Sequence, residues 1–344
     1  MRSIRKNSRK KGIEITDSPI LKPGPDEVLI KIKTAGICGT DLHIYNWDKW
    51  AKNRIIPPVI MGHEFVGMIE ELGSNVTYLK NGQRVSAEGH IACGNCKYCK
   101  NGQEHICKTV NIIGVDIDGC FADYLCIPAN NIWPINKDIP DKYAAVFDPL
   151  GNAMHAIMVQ PISMKNILIT GAGSIGLFAI LIAKANGAEK IIVLEPCSFK
   201  RDIAEEIGAD FVYDPADKNI RKKIIKKTEG YGPDVLIEMS GSADALHLGL
   251  DVIGNGGSVS LLGIPTKKVP LDIANKIIFK GITIKGITGR KVFETWYQCE
   301  KFLLKNGKLI EPVITHYFDM EEIEKGFYLM ENNKAAKVLL NINQ

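Results

Sequence analysis

The chain has no run of about 18 or more apolar residues, so no membrane-spanning helix is expected. It also lacks a strong charge of one sign. Forty-three Lys and Arg against 39 Asp and Glu leave a net charge of only +4. That is too mild for a nucleic-acid surface, and no nucleic-acid partner is expected. The basic stretch Met1 to Lys11 has no apolar core of the signal-peptide kind. With Glu14 and Asp17 close behind, it reads as a solvated edge strand. Internal repeats and low-complexity segments are missing as well. The 344 residues, 45% hydrophobic and 24% charged, are enough for two ordinary domains. Nine cysteines is an odd number, and four of them sit in metal spacing. A reducing cytoplasm is the expected location.

Those four, Cys93, Cys96, Cys99 and Cys107, form C-x2-C-x2-C-x7-C in one short glycine-bearing loop. Zinc binds tetrahedrally through soft thiolates, and such a loop can wrap four of them around one ion. The lobe reads as a closed structural zinc site. Iron–sulfur proteins also begin C-x2-C-x2-C, but their fourth cysteine follows three residues later with a proline behind it. Here the gap is longer and Lys108 follows.

The second signal is Gly171-Ala172-Gly173-Ser174-Ile175-Gly176. The pattern alone is weak, but here an apolar strand candidate, Asn166–Thr170, leads in. A helix candidate from Ile175 to Asn186 leads out. A second strand candidate, Lys190–Leu194, ends at Glu195, about 20 residues past the last glycine, as dinucleotide-binding units require. Glycines allow a tight turn, close approach of the backbone to a pyrophosphate, and close helix–strand packing. The helix N-terminus presents amide donors to the phosphates. A carboxylate at Glu195 would accept ribose hydroxyls, so NAD is expected as cofactor, with Lys200 and Arg201 nearby to soften repulsion of a 2′-phosphate.

Before about residue 151 the pattern is β-rich, with strand candidates at Val28–Lys33, Val66–Gly73, Arg84–Ser86 and Ala122–Ile127. Beyond it strands and helices alternate. Phe211–Tyr213, Asp234–Glu238 and Ser258–Leu262 read as short buried strands, and Ile282–Ile287 as another. This predicts a doubly wound parallel sheet, the Rossmann arrangement. The run Ile220–Lys227 reads as an amphipathic helix with a wet basic face. The tail returns with a helix near Phe293–Asn306 and a strand at Val338–Leu340.

Upstream of the cysteine lobe stand Cys38-Gly39-Thr40-Asp41-Leu42-His43 and Gly62-His63-Glu64. Each is weak alone. Together with the lobe, the glycine unit and the returning tail, they resemble the zinc-dependent medium-chain alcohol and polyol dehydrogenases over essentially the whole chain. The resemblance implies an α/β protein. Its catalytic domain would be a partly open, GroES-like β-barrel over residues 1–151, with the zinc lobe at about 89–108, completed by 292–344. An NAD-binding Rossmann domain would span 152–291, with the active site in the cleft between the domains.

By the same resemblance, Cys38, His63 and Glu64 are the expected catalytic zinc ligands, giving two zinc ions per subunit with the lobe. Thr40 and His43 match a proton-relay pair. Asp148 matches a position near the metal that tunes the relay, and the choice of Glu64 or Asp148 as ligand is open. The cofactor contacts expected are Gly171, Gly173, Ile175, Gly176, Glu195, Lys200, Leu262, Gly263, Ile264, Ile287 and Thr288. A homotetramer is implied.

Asp41–Asp48, Phe147–Ala153, Gly286–Arg290 and Glu294–Tyr297 are similar to the L-threonine-oxidising members of the family. That likeness implies oxidation of the L-threonine 3-hydroxyl to 2-amino-3-oxobutanoate with formation of NADH. A polyol or 2,3-butanediol dehydrogenase is the alternative within the family. A non-catalytic dinucleotide-binding relative is the alternative outside it, and such a protein would have no use for Cys38, Thr40, His43, His63 and Glu64. His90 reads equally as a pocket or a structural residue. Arg290 reads as a cofactor or carboxylate contact, or as a salt-bridge residue. Trp47, Trp50 and Trp296 read as packing residues. Cys120, Cys126, Cys197 and Cys299 read as plain thiols.

Overall fold

A computed structural model describes residues 1–343. The chain divides into two compact units. The first holds Met1–Pro149, Lys291–Gly307 and the residues from 314 onward. The second holds Leu150–Arg290 and Lys308–Val313.

The first unit is built from short strands and short helices. They are β1 (Arg2–Lys6), β2 (Glu14–Asp17), β3 (Glu27–Ile37), α1 (Gly39–Asn46), α2 (Lys49–Arg54), β4 (Val59–Ile60), β5 (Glu64–Leu72), β6 (Arg84–Ala87) and β7 (His90–Ile91). After them come α3 (Lys97–Lys100), β8 (Asn111–Ile112), β9 (Tyr124–Pro128), β10 (Ile132–Pro134), α4 (Asp141–Ala144) and α5 (Phe147–Met158), the last running on into the second unit.

The second unit alternates strand and helix: β11 (Asn166–Thr170), α6 (Ser174–Ala185), β12 (Lys190–Leu194), α7 (Ser198–Glu206), β13 (Phe211–Tyr213), α8 (Ile220–Lys227), β14 (Val235–Glu238), α9 (Ala243–Val252), β15 (Ser258–Leu261) and β16 (Thr283–Gly286). The tail adds α10 (Glu294–Asn306), β17 (Ile314–Asp319), α11 (Ile323–Glu331) and β18 (Lys337–Asn341) to the first unit.

The main sheet of the first unit runs β10-β6-β5-β3-β18-β17, with β9 also paired to β3. Strand β18 is buried along almost its whole length, with Val338, Leu339 and Leu340 at its centre, so it needs a neighbour on each side. It lies antiparallel to β3, matching Val338 to Ile37 and Leu340 to Ala35, and parallel to β17. The sheet path is open at β10 and β17. Strands β7 and β8 form a separate ribbon at the base of the cysteine loop.

In the second unit the six parallel strands lie in the order β13-β12-β11-β14-β15-β16. The order reverses between β11 and β14, which opens a crevice at the carboxyl ends of those strands. The inner strands β11, β12 and β14 are almost wholly buried, as helices on both faces demand. Strands β13 and β16 are only half-buried, because they are the sheet edges. Helix α8 buries Ile220 and Ile224 and leaves Arg221, Lys222 and Lys223 exposed.

Candidate metal centres and cofactor crevice

The cysteine loop leaves β7 and turns at Gly94, whose φ of +70° suits glycine. Cys96 caps α3, Cys99 lies within that helix, and Cys107 follows a short 3-10 turn. The four sulfur atoms lie within 4.8 Å of one another. Cys96 Sγ is 3.4 Å from Cys99 Sγ and 3.9 Å from Cys107 Sγ, and Cys93 Sγ is 4.0 Å from Cys99 Sγ. A tetrahedral ion with Zn–S of about 2.3 Å sets its sulfurs about 3.8 Å apart, so this cage fits zinc. The amides of Cys99 and Lys108 point at Cys96 Sγ and lower its pKa to about 6, which favours the thiolate a metal needs. All nine cysteines are free of disulfides.

The second cluster forms where β3 ends and β5 begins. Cys38 caps α1 just past β3, while Glu64 pairs with Gly36 across the ladder. Cys38 Sγ, a His63 ring nitrogen and a Glu64 carboxylate oxygen lie within 4.8 Å of one another. Gly36 is required here, since a Cβ on it would stand 2.2 Å from Glu64 Oε2. Lys337 of β18, itself buried, donates to Glu64 Oε1 at 2.9 Å, Oε2 at 2.6 Å and the Ile37 carbonyl at 2.9 Å. Asp148 stands in the first turn of α5 and lies outside the three-residue cluster, although its charge is felt at His63.

Behind this cluster sits Asp41, fully buried, a residue that the sequence reading had no role for. Its Oδ2 accepts from the Cys38 amide at 2.9 Å. Its Oδ1 has no hydrogen-bond partner and lies 3.9 Å from His63 Nδ1, which has none either. A carboxylate facing the far nitrogen of a ligand imidazole is the usual way to orient it. Burial opposes a charge on His63, yet Asp41, Cys38 and Asp148 outweigh it and raise the imidazole to about 10. Burial likewise pushes Asp41 up to about 6. This is an anionic pocket with too little positive charge, and its soft sulfur, imidazole and carboxylate donors suit zinc with a position left open.

Thr40 and His43 lie on α1, three residues apart and so on one face. Thr40 Oγ1 is 3.7 Å from Cys38 Sγ. His43 Nδ1 is 2.6 Å from Asp48 Oδ2. His90 is engaged at Nδ1 by buried Glu88 at 2.7 Å, and the other Glu88 oxygen accepts from Trp296 Nε1 at 2.8 Å. Trp296 is buried and stacked on Phe147 at 5.1 Å, the packing role expected of it. Trp47 is also buried, whereas Trp50 is only partly so.

In the second unit Gly171 has φ +89°, and a Cβ on Gly176 would meet the Gly171 carbonyl oxygen at 2.0 Å. Gly173 caps α6, with Ile175 and Gly176 in its first turn. Glu195 directly follows β12, with Oε2 accepting from the Ala172 amide at 2.7 Å and Oε1 from the Cys197 amide at 2.9 Å. Its carboxylate therefore ties the glycine turn to the next strand and keeps lone pairs for hydroxyls. A cleft of about 920 Å³ lies beside it, lined by Gly171, Gly173, Glu195, Lys200, Met239 and Ser240 among others. Leu262, Gly263, Ile264, Ile287 and Thr288 follow β15 and β16 at the same edge of the sheet, but do not line this cleft. Arg290 is buried, with Nη1 3.3 Å from Asn152 Oδ1. Glu238, at the end of β14, accepts from the Ser240 amide at 2.8 Å, the Gly241 amide at 3.0 Å and Thr170 Oγ1 at 3.3 Å, bracing a wall of the cleft.

Family models describe residues 24–137 as an alcohol dehydrogenase GroES-like domain and residues 174–305 as a zinc-binding dehydrogenase. A relative from Caldanaerobacter subterraneus subsp. tengcongensis, named L-threonine 3-dehydrogenase, is 46% identical over 99% of this chain and 98% of its own. One of the same name from Pyrococcus furiosus is 48% identical over 98% of both. An alcohol dehydrogenase from E. coli CFT073, solved with NADH, has a TM-score of 0.89 and 28% identity over 99% of each chain. The chain belongs to the zinc-binding alcohol dehydrogenase family. It is an oxidoreductase with zinc and a nicotinamide dinucleotide as cofactors.

Two outcomes are expected. Replacing Cys96 with Ser should remove one zinc ion and lower thermal stability, because ion binding in such a loop is coupled to its folding. Replacing Cys38 with Ser should abolish turnover with the fold kept. Elemental analysis with melting curves checks both, and at most one ion per chain after zinc reconstitution would sink the two-site reading. For the cofactor, Glu195 should make kcat/KM higher with NAD than with NADP, and a steady-state comparison that favours NADP would remove Glu195 from that role.

Proposed function

We propose that this protein oxidises the 3-hydroxyl of L-threonine with NAD, yielding 2-amino-3-oxobutanoate, NADH and a proton. The observation that carries the proposal is near-complete coverage at 46% and 48% identity by relatives bearing that activity in their names. The motifs around Asp41–Asp48, Phe147–Ala153 and Glu294–Tyr297 support it. On this reading the first unit is catalytic and the second holds NAD.

Cys38, His63 and Glu64 would hold the catalytic ion, and the four lobe cysteines a structural one. Zinc bound there supplies a Lewis acid to the substrate hydroxyl, and NAD supplies the hydride acceptor. The residues of the chain do the rest. Asp41 orients His63. Lys337 holds the Glu64 carboxylate in place. Thr40 would accept the hydroxyl proton as it releases its own outward, and His43, half-exposed in the last turn of α1, would pass a proton on to water. Glu195 fixes the adenosine ribose, and the turn at Gly171–Gly176 admits the pyrophosphate. Lys200 lies on the same cleft wall as Glu195.

A homotetramer is our reading of the assembly. It is supported by the edge strand β16 and by exposed Ile264, Ile273, Ile278 and Phe279 in the sequence leading up to it. Among the described residues no helix is long and apolar enough to cross a membrane. Four cysteines outside the two metal clusters, none in a disulfide, accord with a cytoplasmic site of action.

A substrate panel tests the proposal. Polar groups built to hold an ammonium and a carboxylate go unpaired when a substrate lacks them, a discrimination that can reach about 10⁴-fold. The zinc-loaded protein should therefore show a far higher kcat/KM with L-threonine than with 2,3-butanediol, sorbitol or D-threonine. A higher value with butanediol or sorbitol would replace threonine by a polyol and leave the zinc and NAD assignments standing.

A further inference from the structure

Asp48 stands beside His43 without being part of the Thr40–His43 pair. Helix α1 ends at Asn46, and Trp47 then adopts a left-handed conformation with φ 53° and ψ 46°. A tryptophan rarely takes this conformation, and here it is over-determined by its surroundings. The indole is buried, and Lys6 Nζ lies 5.2 Å from its ring centroid. The reversal at Trp47 brings Asp48 back alongside the last turn of α1, with its amide 3.4 Å from the His43 carbonyl oxygen.

The carboxylate of Asp48 is fixed at both oxygens. Oδ1 accepts from the Ala51 amide at 3.0 Å as the N-cap of α2. Oδ2 faces His43 Nδ1 at 2.6 Å. Burial works against the Asp48 charge, yet the Ala51 amide and His43 outweigh it and hold the group below the usual carboxylate range. An ionised carboxylate only accepts, so the hydrogen between the two belongs to Nδ1.

We propose that Asp48 is the positioning residue of the proton path, locking neutral His43 as the Nδ1–H tautomer so that Nε2 is the bare acceptor. The proposal rests on the dehydrogenase reading of Thr40 and His43. On that reading a proton passed outward from the Thr40 side of the site is accepted at Nε2. The resulting imidazolium keeps its Nδ1–H on Asp48 Oδ2, and the proton departs to water from the exposed ring. No electron moves in these steps, and Asp48 itself stays ionised.

The other ionisable groups on α1 and the elements packed against it are turned elsewhere. Asp41 faces Cys38 and His63. Glu331 of α11 pairs with Lys11. Glu324 of α11 acts on Tyr45, and Lys6 donates to three backbone carbonyls. The carboxylate at His43 Nδ1 is thus supplied by Asp48 alone among these groups.

Asp48→Asn in the zinc-loaded, full-length protein is the test. Asparagine is as good an N-cap as aspartate, so α2 and the melting temperature should be kept. Its amide donates toward Nδ1 and so favours the opposite tautomer. Turnover should fall by about 10²-fold, the lower end of acid–base contributions. KM for substrate and NAD, and zinc content, should change little. In parallel, side-chain ¹⁵N shifts of His43 in the unaltered protein without substrate should show Nδ1 protonated and Nε2 bare, and the variant should show the reverse. Unchanged kcat in a folded, zinc-replete variant would overturn the proposal. So would a bare Nδ1 in the unaltered protein, whether or not the variant folds. Failure of the unaltered protein to turn over threonine strikes the substrate reading alone, because the nitrogen shifts still decide the role of Asp48.

Discussion

Lys337 and Glu64 form a buried ion pair on which the first unit of the protein depends. The lysine stands on the last strand and the glutamate on the fifth, 273 residues apart, and neither side chain meets water. Desolvating two such charges is expensive, and removing one partner typically costs about 3–5 kcal/mol because the other is stranded. The geometry offsets that cost: both carboxylate oxygens and the Ile37 carbonyl are bonded to one ammonium. The pair fixes where the carboxylate sits relative to Cys38 and His63, and it obliges residue 36 to be glycine. It also explains why the tail returns to the first unit. Strand β18 completes the sheet beside β3 and brings the Lys337 ammonium into the anionic pocket.

The second unit is organised by carboxylates in a similar way. Glu195 and Glu238 stand at the carboxyl ends of β12 and β14, on either side of the central strand β11. Each accepts from backbone amides of adjoining turns, so the walls of the crevice are fixed by buried acceptors rather than by apolar packing. That leaves a polar, preformed cleft at the switch point of the sheet, where doubly wound folds bind ligands.

Local patterns made much of this legible. Four cysteines in one loop announce a cage, since the ligands are neighbours in sequence. The glycine turn, the strand before it and the carboxylate about 20 residues later belong to one βαβ unit, so their spacing carries their meaning. The Cys38 and His63-Glu64 motifs gained weight only from the company they keep. Lys337 and Asp41 were not legible. A lysine before an apolar strand reads as a strand end, and nothing local says that a carboxylate from β5 waits for it. Asp41 sits inside Cys-Gly-Thr-Asp, where nothing local marks it out from the rest of the motif, although it binds the Cys38 amide and faces His63. Strands β13 and β16 show the same limit: an apolar run reads as buried, and only the sheet order reveals an edge.

The central claim is that Cys38, His63 and Glu64 form a second zinc site, distinct from the cysteine cage. Anomalous diffraction at the zinc edge, on crystals grown with saturating zinc, tests it most directly. The account predicts one peak inside the four lobe sulfurs and a second between Cys38 Sγ and the His63 ring. A zinc-saturated crystal with no peak at Cys38 and His63, or with its second peak elsewhere, would contradict it.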